Sequence, residues 1–598
     1  MRIAVLIKQV PKFDEMELGP DGRLVREGLE LEMNPYCRRA VSKGVELALA
    51  TGGTCTVFTL GPPAAEDSLR EAIAWGATDG VLISDPAFAG SDTLATAKAL
   101  AAALSRAASR GERDDSPYDL VLTGRNSVDA DTGQVGPELA ELLDLPFATG
   151  VKHLELGDGE LKVLCEEDDG QSDRVVSLPA IVSTAERLIE PAKVDPEGRS
   201  AVSADKIRTM GAAELGPGPW GQDGSGTYVG EVRILEVDRA HDVLSGSIDA
   251  QVDAALCLLH ERGALDDARD DAVTEQVPPA RALAGPVIAV VVEPGRDNVA
   301  RELLGAAARI ATEIDGYVVG ITTGPASSTV GSWGADAVVA LKGDVVEEDV
   351  ARAVAAWADD KQPWAILLPS TTWGREVGGR AAARLGAGLT GDAVELEVST
   401  VASTGQRQLL AWKPAFGGRL VAAIYCSSPI QMATVRAGVL PMPAPRESSF
   451  STTTLSVEPR GRVVVTAAAR DDDISDLANA SVVVGVGTGV KPDEYAALEP
   501  LLQALGAELG ATRKVTDKAW MPRARQIGIT GRSIAPRLYV AIGLSGKFNH
   551  MVGVRAADTI LAINEDADAL IWEHADIGIV GDWHEVVPRL VSRLERPG

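Results

Sequence analysis

What this sequence has little of narrows its chemistry first. Aromatic residues make up only 4% of its 598 positions. Its cores are therefore built from Ala, Val, Leu and Ile, and a hydrophobic fraction of 45% supplies enough of them. The five cysteines (Cys37, Cys55, Cys165, Cys257, Cys426) are scattered, with no CxxC pair. That spacing argues against a disulfide framework or an iron–sulfur site and fits a reducing cytoplasm. Cations are also short: 57 Lys+Arg stand against 86 Asp+Glu, a net of −29. Such a balance speaks against nucleic-acid or acidic-membrane binding, although it is also what adaptation to solute conditions would leave. Long apolar runs are missing too, since "SVVVGVGTGV" is broken by glycine well before membrane-spanning length. "MRIAVLIKQVPKF" begins a strand directly, with no signal-peptide pattern, so a cytoplasmic location is expected.

What is present is alternation. A chain of this length holds roughly three or four domains of ordinary size. Over residues 1–145 strand-like runs ("RIAVLIKQV", "GGTCTVFTLG", "DGVLIS", "YDLVLTG") alternate with helical ones ("YCRRAVSKGVELALA", "AAEDSLREAIAWGA", "TLATAKALAAALSRAAS"). That order predicts a parallel sheet with helices on both faces. "HLELGDGELKVLCEEDDG" adds a strand pair turning on Gly-Asp-Gly. Residues 211–230 are too rich in Gly and Pro to form an element. "GSIDAQVDAALCLLHERGAL" then reads as a helix, and the polar, proline-bearing stretch 266–285 as the main linker. After it the alternation restarts with "PVIAVVVEPG", "NVARELLGAAARIATEI", "GYVVGITTG" and "PWAILLPS", and a last α/β unit begins near "GRVVVTAAA". The expected fold class is α/β: tandem doubly wound parallel-sheet domains at 1–265 and 286–465, and a Rossmann-like domain at 466–598.

The last unit carries the chemistry. A strand runs into Gly485-Val486-Gly487-Thr488-Gly489 and then a helix, and such turns let backbone N–H groups approach an anion. Downstream stand hydroxyls (Thr512, Thr530, Ser545), a cation (Arg513), amides (Asn549, Asn564), His550, and the carboxylates Asp576 and Asp582. No nucleophile pairs with a base. The set suits a large polar ligand with a pyrophosphate, a ribityl chain and a flat ring, a cofactor that does the chemistry itself. Plainer readings stand beside this one. A lone histidine is more often structural, Arg513 would cap a helix end, "EEDD" would be a solvated turn, and His574 and His584 read as structural.

Residues 482–592 resemble the flavin-binding domain of the electron-transfer flavoprotein α subunit, through "GAELGATR", "QIGITGRSIAPRLYVAIGLSGKFNH", "AINED", "ADIGIVGD" and "VVPRL". Upstream, "STTWGREVGGRAAARLGAGLTGDAVEL" and "KPAFGGRLVAAIYCSSPIQMATVRAG" resemble that subunit's first domain. Residues 1–265 resemble the β subunit through "KQVP", "MNPYCRRAV", "GPPAAEDSLREAIAWGA", "DPAFAGSDTLAT", "GRNSVDADTGQVGPELAELL" and "EEDDGQSDRVVSLPAIVSTAERL". The resemblance thus describes a β–α fusion, an intramolecular pseudo-heterodimer.

It implies FAD in the last unit. Thr512 and Arg513 would lie at the flavin phosphate and ring, where Arg513 favours the negative charge that reduction brings. Ile527, Gly528, Ile529 and Thr530 belong to the same site, with the Thr530 hydroxyl offered to the flavin N5. Ser545, Gly546, Lys547, Phe548, Asn549 and His550 would cradle the cofactor, His550 donating toward a ring carbonyl. Asn564, Asp582 and Trp583 match the adenosine end. On the β-like side Asn34, Pro35, Tyr36, Cys37, Asp129, Asp131, Thr132, Gln134 and Gly136 match a pocket for AMP or a second FAD. Phe13 stands where the family usually has a tyrosine, and Glu166 lies on the loop implied to approach the flavin.

Thr488 replaces an arginine of the family pattern, Ile529 a glutamine and Cys165 an arginine, and "EPAKVDPEGRSAVSADKI" shows no leucine–proline anchor for acyl-CoA dehydrogenases. These departures bear on redox potential and partner. The implied function is a soluble electron carrier between a dehydrogenase and a quinone-linked or other acceptor. The alternatives are an NADH-oxidising, electron-bifurcating flavoprotein and a flavin-free scaffold, the last opposed by Arg513, Thr530, His550 and Asn564.

Overall fold

Runs such as Ile3–Ile7 and Val482–Val486 show no polar alternation, so each has to be buried on both faces. A computed structural model of the chain puts each inside a parallel sheet. It describes all residues except 13–29, 109–117, 235–238, 267–275, 326, 402–404, 416–419, 448–449, 471–476, 478–479, 529–530, 533 and 596–598. The chain forms two compact units, one of Met1–Ile234 with Val273–Ala469, the other of Leu235–Ala272 with Arg470–Gly598.

The first unit holds two sheets of one plan. In the ten-stranded sheet Arg2–Ile7 lies between Thr54–Leu60 and Leu120–Gly124, with Asp79–Ile83 beyond Thr54–Leu60. In the seven-stranded sheet Val287–Val292 lies between Tyr317–Thr323 and Ala365–Pro369, with Ala337–Lys342 beyond Tyr317–Thr323. Both therefore run third, second, first, fourth, all parallel. This is the order of a doubly wound fold, whose crevice opens at the carboxyl ends of the first and fourth strands. The hairpin of Phe147–Leu156 and Glu160–Glu167 turns at residues 157–159, as its Gly-Asp-Gly text predicts.

The halves also exchange strands. Thr227–Ile234 pairs antiparallel with Leu420–Cys426 in a four-stranded sheet. Val463–Arg470 in turn lies beside Gly170–Ser177 at the edge of the ten-stranded sheet. Both findings correct the sequence reading. The glycine-rich stretch 211–230 does contain elements, the helices Ala212–Leu215 and Gly221–Gly224 and the start of a strand. "GRVVVTAAA" (461–469), expected to open the last unit, belongs to the first. In both places backbone pairing with a distant strand decides, and local composition carries no sign of it.

In the second unit the order is Glu508–Ala511, Val482–Val486, Leu538–Ile542, Thr559–Asn564, Ile577–Val580 and Asp242–Leu244, all parallel. Counting from Val482, this is second, first, third, fourth, fifth, with the switch point between Val482–Val486 and Leu538–Ile542. The edge strand Asp242–Leu244 and the helix Ile248–Glu261 come from before residue 265. Asp576, read from sequence as a ligand carboxylate, anchors this addition: it takes Arg239 at 2.7 Å and Arg262 at 3.2 Å, and accepts the Ile560 N–H at 2.8 Å. Much of the expected linker, 267–275, lies outside the described residues. Its far end is packed, since Val277 is buried and its N–H donates to Ala444 at 2.9 Å. Among the described residues no helix is long and apolar enough to cross a membrane.

Candidate functional site

Parallel strands point their carboxyl ends one way, and the site residues expected in the second unit stand at or just past those ends. Gly487, Thr488 and Gly489 follow Val482–Val486, Thr512 and Arg513 follow Glu508–Ala511, and Ser545 to His550 follow Leu538–Ile542. Asn564 ends its strand, and Asp582 and Trp583 follow Ile577–Val580. The switch point is lined by two glycine turns in contact. A Cβ on Gly487 would sit 2.1 Å from the Gly543 carbonyl oxygen, so only glycine permits the approach. The Gly487 N–H donates to Ile542 at 3.0 Å and that of Gly543 to Ile563 at 3.1 Å. Among the described residues the N–H groups of Thr488, Gly489, Ser545 and Gly546 have no acceptor in the chain. Lys491, which the sequence reading missed although it follows the turn directly, donates its Nζ to the Thr488 carbonyl at 3.1 Å. A cation thus stands at the turn that carries Thr488 in place of arginine.

The individual side chains divide. Arg513 is half-exposed, its Nε 3.3 Å from the Asp517 carboxylate. Thr512 precedes the short helix Arg513–Asp517 and gives its N–H to Val486 at 3.1 Å. Asn564 ties two strand ends, donating to the Leu544 carbonyl at 2.7 Å and accepting the Asp566 N–H at 3.0 Å. Asp582 caps the helix Trp583–Leu594, accepting from the His584 N–H at 2.9 Å, which with the His584 ring holds its carboxyl below the usual range. Trp583 is buried in the core and its ring stacks on His584 at 3.9 Å. Ile527 is buried, and its N–H donates to Ala511 at 2.9 Å. Gly528 has φ of 129°, outside what most side chains accept. Ser545 and Lys547 are exposed and Gly546 is buried at φ of 75°. Ile529 and Thr530 lie outside the described residues, as do the side chains of Phe548 and Asn549.

His550 departs from its expected role. Its Nδ1 faces the Ile527 carbonyl at 3.1 Å and its Nε2 the Tyr539 hydroxyl at 2.7 Å. A carbonyl only accepts, so Nδ1 carries the proton and Nε2 receives the phenol's. Burial lowers the imidazole pKa to about 4. The ring is a buried neutral strut in this structure, with no N–H left to donate toward a ligand carbonyl.

In the first unit the nucleotide-pocket residues gather at the crevice beside Ile7 and Gly124. Asn34 is fully engaged there: its Nδ2 donates to the Asn126 carbonyl at 2.8 Å, its Oδ1 accepts the Val128 N–H at 3.2 Å, and Cys37 lies at 3.3 Å. Pro35 opens the helix Pro35–Thr51, which also carries Tyr36 and the buried Cys37. Asp129 meets Lys8 at 2.6 Å; burial pushes its carboxyl up, but the ammonium outweighs that and holds it low. Its Oδ1 has no partner, nor do the buried hydroxyls of Thr59 and Thr123, near the ends of the two strands that flank Arg2–Ile7. Asp131, at φ of 47°, accepts from Asn126 at 2.6 Å. Thr132 lies by Gly391, Gln134 accepts from Thr93 at 3.1 Å, and Gly136 leaves room for the Phe147 ring. Glu166 pairs with Arg125 at 3.4 Å, and Cys165 is a buried thiol that burial pushes up to about 12. Among the described residues no cluster of His, Cys, Asp and Glu could hold a metal.

Comparison with known proteins accounts for both units. A family model described as the electron transfer flavoprotein domain matches residues 21–207 and 287–459. A second, the electron transfer flavoprotein FAD-binding domain, matches 476–555. The chain is 34% identical over 315 residues to the electron transfer flavoprotein subunit alpha of Clostridium acetobutylicum, covering 50% of this chain and 93% of that one. It is 38% identical over 312 residues to Protein FixB of Azorhizobium caulinodans, covering 49% and 83%. To the electron transfer flavoprotein subunit beta of Thermoanaerobacterium thermosaccharolyticum it is 35% identical over 266 residues, covering 44% and 99%. With matches to both subunits on one polypeptide, the chain belongs to the electron transfer flavoprotein family.

Proposed function

We propose that this chain is a self-contained electron carrier: FAD binds at the carboxyl edge of the second unit, takes electrons from a dehydrogenase and passes them to a quinone-linked or other acceptor. The observation that carries this reading is the pair of facing glycine turns with acceptor-free N–H groups at the switch point, a donor set suited to a pyrophosphate. Lys491 adds charge beside it, Asn564 fixes the spacing of the strand ends, and Arg513 stands two residues past the neighbouring strand. FAD, when bound, supplies the electron uptake and release. The protein's part is to hold it and set its electrostatics. No nucleophile is required. The cytoplasm is the compartment this reading assigns.

The crevice of the first unit is proposed to take AMP or, in an NADH-oxidising bifurcating protein, a second FAD. The unpartnered Thr59, Thr123 and Asp129 oxygens support a polar guest there. The test is flavin and AMP content per purified full-length chain after reconstitution. One FAD and one AMP are expected for the carrier, and two FAD for the bifurcating reading. A colourless chain that takes up no FAD would sink both.

A further inference from the structure

The two large sheets of the first unit share a strand order, so each has a switch-point crevice. In the ten-stranded sheet it is the nucleotide pocket just described. In the seven-stranded sheet it lies between residues 293–296, after Val287–Val292, and residues 370–375, after Ala365–Pro369. A part of the same chain occupies it. Asp168, from the turn after Glu160–Glu167, sets its Oδ2 2.6 Å from the N–H of Thr372, first residue of the 14-residue helix Thr372–Leu385. The same oxygen is 3.9 Å from Arg296, which Asp169 also holds at 3.1 Å. Burial pushes the Asp168 carboxyl up, but Arg296, Arg125, the Thr372 N–H and Arg375 together hold it below the carboxylate range.

The space beside Asp168 is lined by Arg125, Asn126, Thr372, Arg375 and Glu376. Glu376 is 3% exposed; its Oε1 accepts from Arg380 Nε at 3.3 Å, and its Oε2 has no partner. Burial, reinforced by Glu347 and only partly offset by Arg380 and Arg174, pushes its carboxyl well above the usual range. Three guanidiniums, which also pair with Glu166 (Arg125, 3.4 Å), Glu293 (Arg296, 2.9 Å) and Asp392 (Arg375, 3.5 Å), converge here with a helix N-terminus and a buried carboxyl, a set of donors suited to an oxyanion. What they hold is an aspartate.

We propose that Asp168 is an internal stand-in for a phosphate group, so that the second switch-point crevice is a phosphate-type oxyanion site that the chain closes with its own carboxylate. The guest it excludes is inorganic phosphate or the phosphate of a nucleotide. The space borders the first crevice, whose Arg125 and Asn126 follow the strand Leu120–Gly124.

Equilibrium dialysis of the full-length protein against labelled inorganic phosphate, and separately against AMP, tests it as a difference from wild type. Asp168→Ala, and Asp168→Ser as a second small replacement, should each bind one more equivalent of phosphate than wild type, at least tenfold tighter than any wild-type binding at this site. Asp168→Asn keeps the shape and the acceptor for the Thr372 N–H, and should gain nothing. Adding Arg375→Ala to Asp168→Ala should abolish the gain. Extra phosphate alone identifies a free-phosphate site and extra AMP as well a nucleotide site, and either supports the proposal. A folded Asp168→Ala or Asp168→Ser chain with no extra equivalent, or a gain that survives Arg375→Ala, overturns it. AMP bound by wild type reads the first crevice, and only the equivalent gained over wild type reads this site, so that reading can fail without this one.

Discussion

The Tyr539 hydroxyl stands 2.7 Å from Nε2 of His550, with both side chains buried. The pair braces the strand Leu538–Ile542 against the turn that follows it, and the Ile527 carbonyl completes the chain of hydrogen bonds. An imidazole so placed is neutral in the folded protein.

Its titration gives the first prediction. The folded pKa, about 4, lies below the ordinary 6.5, so His550 contributes stability in full above pH 6.5 and loses it as pH falls toward 4. Thermal unfolding of the wild type between pH 7 and 4 should show this loss, and His550→Gln should flatten it. Tyr539→Phe removes the donor to Nε2 and should cost about 1–3 kcal/mol at pH 7, the range for a buried group left unpaired.

Gly485 is what lets the tyrosine reach. A Cβ there would fall 1.7 Å from the Tyr539 hydroxyl oxygen and 2.3 Å from the ring carbon bearing it. Gly485→Ala should destabilise by about 1–3 kcal/mol through overpacking, and FAD retention on gel filtration should fall with it. Gly485→Ala combined with Tyr539→Phe should recover part of the loss. An additive double variant would show that the two residues do not meet.

Arg513 is held at 3.3 Å by Asp517 and stays half-exposed. If its charge acts on the flavin, Arg513→Ala should make reduction harder by about 1–3 kcal/mol, the scale of a charge-assisted hydrogen bond. Asp517→Asn should make reduction easier, because it removes the competing carboxylate. Spectroelectrochemical titration reads both. Unchanged potentials with weakened binding would make Arg513 a phosphate anchor.

Cleavage within residues 267–275 should leave the protein in one piece. Each unit is assembled from both sides of that cut: Thr227–Ile234 pairs with Leu420–Cys426 in one, and Asp242–Leu244 with Ile577–Val580 in the other. The buried Arg174–Glu347 pair, at 3.0 Å, adds a link in the first unit. Nicked protein should therefore run as one species in native gel filtration and separate only in denaturant. Spontaneous separation would mean that the peptide connection is what joins the fragments.

Glu138 is a buried carboxyl whose Oε1 accepts from Thr93 at 2.9 Å and whose Oε2 has no partner. Burial, with Asp92 nearby, pushes its pKa up to about 8. A raised carboxyl pKa weakens the fold as pH rises from about 4.5 to 8, because the unfolded chain releases the proton first. Glu138→Gln should therefore raise the melting temperature at pH 8.5 and change it little at pH 4.5. Equal effects at both values would count against a protonated Glu138.

Periodicity alone made the parallel sheets legible, because a strand buried on both faces has to be apolar throughout and its connecting helix has to show one apolar stripe. Ordered glycine and amide motifs likewise marked the carboxyl-edge turns, since only particular residues fit where two backbones touch, as at Gly487 and Gly543. Sequence could not say which strand would pair with which across hundreds of residues. Thr227–Ile234 and Val463–Arg470 look like connection or boundary until a distant edge accepts their hydrogen bonds. Nor could it tell a ligand-facing histidine from a braced one. His550 carries the same motif either way, and what decides its state is the Tyr539 hydroxyl and the Ile527 carbonyl that folding brings to its two nitrogens. The acidic run at 166–169 likewise reads as a solvated turn until tertiary structure sets Asp168 against the Thr372 N–H and Arg296. Desolvation and pairing act through space, and distance along the chain does not encode them.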